Sequence, residues 1–79
     1  MLTVRYFAGA RAAAGVSAEP IRAATLDDLA QVLTDRHGER LAVVLKAASF
    51  LVDGVACHDR QAVLPAGATV DVLPPFAGG

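Results

Sequence analysis

The chain opens on a strict alternation. In residues 2–7, Leu2, Val4 and Tyr6 fall on one side and Thr3, Arg5 and Phe7 on the other, the period-two signature of a strand with one apolar face. Residues 8–14 are rich in alanine, and with Gly15 behind them they predict a short helical turn closed by a glycine. Residues 19–24, around Pro20 and Ile21, read as a second strand that forms a hairpin with the first. Pro20 cannot donate to a ladder, which places this strand at a sheet edge.

The spacing then becomes helical. Leu26, Leu29, Ala30 and Leu33 line one stripe. Thr25 is the expected N-cap, Asp27 and Asp28 complement the helix dipole in the first turn, and Gly38 ends the helix after Arg36 and His37. Leu41, Val44, Leu45 and Ala48 predict a further short helix. Phe50-Leu51-Val52 is a short strand, Asp53-Gly54 a hairpin turn, and residues 55–58 its return. After a tight turn at Leu64-Pro65-Ala66-Gly67, residues 69–73 alternate again, with Val70 and Val72 opposite Thr69, Asp71 and Leu73. Two hairpins around one main helix make an α+β domain, a single sheet covered on one face. By the same parity Phe7 and Leu73 lie with polar residues on the uncovered face. With Phe76 they are the expected apolar patch for a partner.

Composition narrows the function. Seventy-nine residues make one domain with a thin core, burying about 60–65% of the unfolded surface; 54% hydrophobic residues suffice to fold it. There is one cysteine, Cys57, so no internal disulfide forms, in keeping with a reducing compartment. The first residues lack the pattern of a signal peptide and no apolar run reaches membrane-spanning length, so a cytoplasmic protein with no membrane association is expected. Net charge is −1 and the seven basic residues are scattered, which argues against nucleic acid. Cys57 and His58 are strand neighbours pointing to opposite faces, so the thiol has no activating base and is expected to be structural. His37 and His58 lack ligand spacing, and no metal is expected. No acid, base and nucleophile converge, so a stand-alone enzyme is disfavoured.

The chemistry is concentrated at the end, Pro74-Pro75-Phe76-Ala77-Gly78-Gly79. Two prolines stop the last strand and hold the chain extended, and the residues beyond them have little side chain. Residues 1–75 are therefore expected to form the domain and residues 76–79 a mobile tail. A slim leader suits a terminal carboxylate that must enter a narrow active site in another protein. A carboxylate is a poor electrophile, so ATP would first convert it to an acyl-adenylate. A persulfide or sulfide could then displace AMP and leave a terminal thiocarboxylate.

The stretch from Val70 through Asp71, Val72, Leu73, Pro74, Pro75, Phe76, Ala77 and Gly78 to Gly79 resembles the C-terminus of the small subunit of molybdopterin synthase, MoaD. Val4-Arg5-Tyr6-Phe7-Ala8-Gly9-Ala10-Arg11 with Gly15, Thr25-Leu26 with Leu29 and Leu33, Val52-Asp53-Gly54 and Leu64-Pro65-Ala66-Gly67 are similar to that family's other segments, so the likeness spans nearly the whole chain. Two departures are Ala68, a turn position where the family often has an acidic residue and little consequence is expected, and Phe76, where a smaller residue is usual.

The resemblance implies a ubiquitin-like β-grasp fold, one mixed sheet packed on one main helix. It implies Gly79 as the reacting residue, adenylated and thiocarboxylated, with Phe76, Ala77 and Gly78 threading into a partner's active site. Phe7, Leu73 and Arg11 are the implied partner-binding residues. No cofactor is bound, ATP being used by an adenylating activating enzyme. The other implied partner is the synthase large subunit, in a heterotetramer of two small and two large subunits. There the sulfur passes to a pterin precursor in molybdenum cofactor biosynthesis. The alternatives are a sulfur carrier for thiamin or cysteine synthesis, and a ubiquitin-like modifier joined through Gly79 to lysines.

Overall fold

The computed structural model describes residues 1–75; Phe76, Ala77, Gly78 and Gly79 lie outside the described residues. The order of elements is β1 (Leu2–Tyr6), α1 (Gly9–Ala14), β2 (Ala18–Ile21), α2 (Leu26–His37), α3 (Glu39–Ala47), β3 (Ser49–Val52), β4 (Val55–Cys57) and β5 (Thr69–Leu73). The five strands form one sheet in the order β2-β1-β5-β3-β4. Both hairpins are antiparallel, while β5 runs between them, parallel to β1 and antiparallel to β3. This is the mixed sheet of a ubiquitin-like β-grasp fold.

Local chemistry sets most of the boundaries. Thr25 caps α2, its hydroxyl accepting a hydrogen bond from the Asp28 amide at 3.1 Å. Gly15 closes α1 in the left-handed conformation, its amide donating to the Arg11 carbonyl. Asp53 and Gly54 both take positive φ, 49° and 84°, as a two-residue type I′ hairpin requires. The Asp53 carboxylate and backbone amide also tie this turn to β5: Oδ1 accepts from the Thr69 amide at 2.9 Å, and the Asp53 amide donates to the Thr69 carbonyl at 2.8 Å.

Alternation decides the faces. Leu2, Val4, Tyr6, Phe50, Val70 and Val72 are buried on one side of the sheet. Against them pack Ala10 of α1, Leu26, Leu29 and Leu33 of α2, and Leu41 and Leu45 of α3. All three helices thus contribute to a single core, and the other face is left open.

Two expectations need correction. The second strand ends at Ile21 rather than Ala24. Ala24 and the start of α2 instead bond the loop before β5: Leu64 donates to Ala24, and Leu26 donates to Ala62. Ala68 is no inconsequential turn position. It is 2% exposed within the core, and its carbonyl accepts from the Thr3 amide at 3.0 Å. A carboxylate at this position with the same packing would be desolvated.

Candidate functional site

β5 carries the chain through the centre of the sheet and delivers Pro74 at its end. The register pairs Arg5 with Asp71 and Tyr6 with Val72, and the Phe7 amide then donates to the Val72 carbonyl at 3.2 Å. Phe7 and Leu73 therefore stand side by side on the open face, as parity requires. Phe7 is 38% exposed and Leu73 half-buried. With Ala8, Gly9, Ser49, Pro74 and Pro75 they line a mostly apolar groove of about 610 Å³ where the chain leaves the sheet. Arg11 is exposed on α1 and is not part of this lining. Of the three residues expected to meet a partner, two are brought together and one stays apart.

The lip of the groove is strained. Ala8 has φ 49° and ψ −122°, and the Ala10 amide donates to the Phe7 carbonyl at 3.0 Å. These angles are those of the first central residue of a type II′ turn, a position that favours glycine. The glycine of this sequence, Gly9, comes one residue later.

One pleat back from Phe7 and Leu73 lies a charged pair. Arg5 Nε donates to Asp71 Oδ1 at 2.6 Å, and Nη2 donates to Oδ2 at 2.8 Å. Asp71 is 7% exposed, whereas the Arg5 side chain is 51% exposed. The Asp71 hydrogen bond and charge hold the Arg5 pKa above its already high ordinary value. The guanidinium also lies 5.7 Å from the centre of the Phe7 ring. Sequence reasoning placed both residues on the open face but missed the pairing, because it depends on β1 and β5 being parallel neighbours in this register.

A second polar cluster sits on the covered side. Glu19 of β2 stands opposite Val4, and its carboxylate accepts from the Tyr6 hydroxyl at 2.6 Å and from Arg36 Nη1 at 2.9 Å. His37 Nε2 closes on the same carboxylate, and its ring meets Tyr6 edge-on. Burial acts to raise the Glu19 pKa, but the hydrogen bonds from Tyr6, His37 and Arg36 outweigh it and hold the carboxyl below the ordinary glutamate range. Burial, and then the bond to Glu19, push the Tyr6 phenol well above its usual value. This cluster fastens the edge strand to the end of α2 and lies away from the groove lining.

Cys57 is partly buried, its Sγ 3.7 Å from the Asp59 carbonyl. Among the described residues no group of three or more His, Cys, Asp or Glu side chains is placed to hold a metal ion, and no helix is long and apolar enough to cross a membrane.

A family model described as the ThiS family matches residues 4–79. The chain belongs to the ThiS family. No curated protein matches the ThiS-family chain significantly. Solved structures do. Small archaeal modifier protein 1 from Methanosarcina acetivorans superposes with a TM-score of 0.85 at 22% identity, over 99% of this chain and 95% of that one. A candidate molybdopterin converting factor subunit 1 from Pyrococcus furiosus gives 0.78 at 27%, over 95% and 97%. The complex of subunits 1 and 2 of molybdopterin-converting factor from Helicobacter pylori includes a chain that gives 0.75 at 23%, over 99% and 97%. The chain thus has the fold shared by sulfur carriers and ubiquitin-like modifiers.

Proposed function

We propose that this ThiS-family chain is a sulfur carrier of molybdenum cofactor biosynthesis. The Gly79 carboxylate attacks the α-phosphate of ATP on an activating enzyme, releasing pyrophosphate and leaving an acyl-adenylate. A sulfur nucleophile displaces AMP to give the thiocarboxylate, which donates its sulfur to a pterin precursor in the large subunit of molybdopterin synthase. Phe76, Ala77 and Gly78 lead Gly79 into the partner's active site, and the groove of Phe7, Leu73, Pro74 and Pro75 seats against the partner's surface. The carrier supplies the attachment point and its partners the catalysis, within the cytoplasm.

The observation that carries this reading is the family match running through Gly79. The Leu73-Pro74-Pro75 stretch and the similarity to molybdopterin converting factor subunits favour the pterin branch over thiamin or cysteine synthesis. The test is intact mass after incubation with ATP, an activating enzyme and a sulfur source, followed by addition of large subunit and pterin precursor. The expected result is exchange of one carboxyl oxygen for sulfur, then loss of that sulfur with formation of dithiolene product. Deleting Gly79 should abolish both steps, and product formation by the deletion variant would refute the assignment. A second reading, a modifier joined to lysines, draws on the likeness to small archaeal modifier protein 1. Isopeptide adducts on cellular lysines ending in Gly79 would favour it.

A further inference from the structure

The open face combines the apolar groove with a guanidinium already fixed in place. Asp71 uses both of its carboxylate oxygens to hold Arg5 by Nε and Nη2. A guanidinium has five N–H groups, so three remain: both on Nη1 and one on Nη2. Among the described residues no acceptor meets them within hydrogen-bonding distance. Two of them, one on each Nη, form the end-on edge of the fork, parallel donors matched to the two oxygens of a carboxylate.

Arg5 is also held from two sides. The carboxylate that grips it is itself nearly buried, and the Phe7 ring flanks it. Any partner covering the groove reaches this edge within one pleat of the strand, about 7 Å along β1. Covering it with apolar surface would strip water from three N–H groups and return nothing, so such a surface is disfavoured.

We propose that Arg5, positioned by Asp71, is a specificity-determining anchor of the docking face, and that the large subunit seated there presents an aspartate or glutamate carboxylate to the Nη1–Nη2 edge beside the apolar contact. This rests on the reading of the groove as the surface that meets a sulfur-transfer enzyme. It gives Arg5 the role that the resemblance implied for Arg11.

The test uses the full-length chain and the large subunit of molybdopterin synthase. Three forms are compared: wild type, Arg5→Lys, and the exchange Arg5→Asp with Asp71→Arg. Lysine keeps the charge but loses the planar two-donor edge. The exchange keeps an ion pair but moves the guanidinium to the neighbouring strand. Dissociation constants and melting temperatures are measured together. The expected result is binding weakened about tenfold or more in both variants, chiefly through faster dissociation, with the melting temperature of Arg5→Lys close to wild type. A scan of partner carboxylates to amides should find one whose loss costs the wild type affinity and the Arg5→Lys variant little. If wild type binds the large subunit and both variants bind it equally well, or no carboxylate of the large subunit couples to Arg5, the anchor is refuted while the carrier reading stands. If wild type does not bind it, both fall.

Discussion

Replacing Glu19 with glutamine preserves the shape of the side chain and removes its charge, which isolates what the carboxylate does at the junction of β2 and α2. The Glu19 side chain is 11% exposed, so its bonds are poorly screened. A bond from a buried hydroxyl to a charged acceptor contributes about 1.5–3 kcal/mol, against about 0.5–1.5 for a neutral one, so Tyr6 alone should lose ~1 kcal/mol. The Arg36 contact adds little, ~0–1 kcal/mol, because that side chain is half-exposed. His37 lies largely buried against the same carboxylate and brings the total near ~2 kcal/mol. In a domain of this size that is roughly 8–16 °C in melting temperature. The pH dependence gives a sharper check. The Glu19 pKa is lowered in the folded state, so its contribution is complete above the ordinary glutamate value of about 4.3 and disappears as pH falls through the folded value. Urea unfolding followed by circular dichroism should show Glu19→Gln less stable than wild type near pH 7, with the two converging as the solution is acidified. Equal stability at neutral pH, or a gap that persists in acid, would refute the argument.

Other perturbations separate surface from scaffold. Phe7→Ala and Leu73→Ala should each weaken binding to the large subunit by ~2 kcal/mol or more, yet cost the isolated fold less than the ~2–5 kcal/mol of a core truncation. A collapsed melt would mean these side chains belong to the core. Ala8→Gly should raise stability by about 1 kcal/mol in chemical denaturation, since it removes the side chain from a positive-φ turn position; no gain would mean that the turn is unstrained. Cys57→Ser should retain sulfur transfer, the sulfur residing on the terminal carbonyl; loss of transfer by a folded variant would assign the thiol a role in the chemistry.

Where one strand or helix carried its own signal, the sequence was legible. The alternation in β1 and β5 placed Phe7 and Leu73 on the open face, and Thr25, Gly15 and Asp53-Gly54 marked their cap and turns through side-chain and backbone chemistry that acts within a few residues. What escaped depends on pairings between distant segments. Arg5 and Asp71 are 66 positions apart, and Glu19 meets His37 only because α2 runs its full length back to the edge strand. Neither cluster can be read before strand order and register are known. Ala68 was misjudged for the same reason: a turn residue by local grammar, it is buried because β1 and the core close over it. The strain at Ala8 has no local signal either, since the glycine that would suit the turn lies next door.

The position of β5 also bears on force. The strand leading to Pro74 and Pro75 is hydrogen-bonded on both edges, to β1 on one side and β3 on the other. On the proposed function, an enzyme drawing residues 76–79 into its active site would load this strand through Pro74 and Pro75. The load then falls on two ladders at once and in shear, so many bonds must fail together instead of opening one after another, as they would if an edge strand were peeled. The fold can therefore act as a stop: a partner can haul in the end of the chain, and traction ceases at the prolines without unravelling the domain behind them.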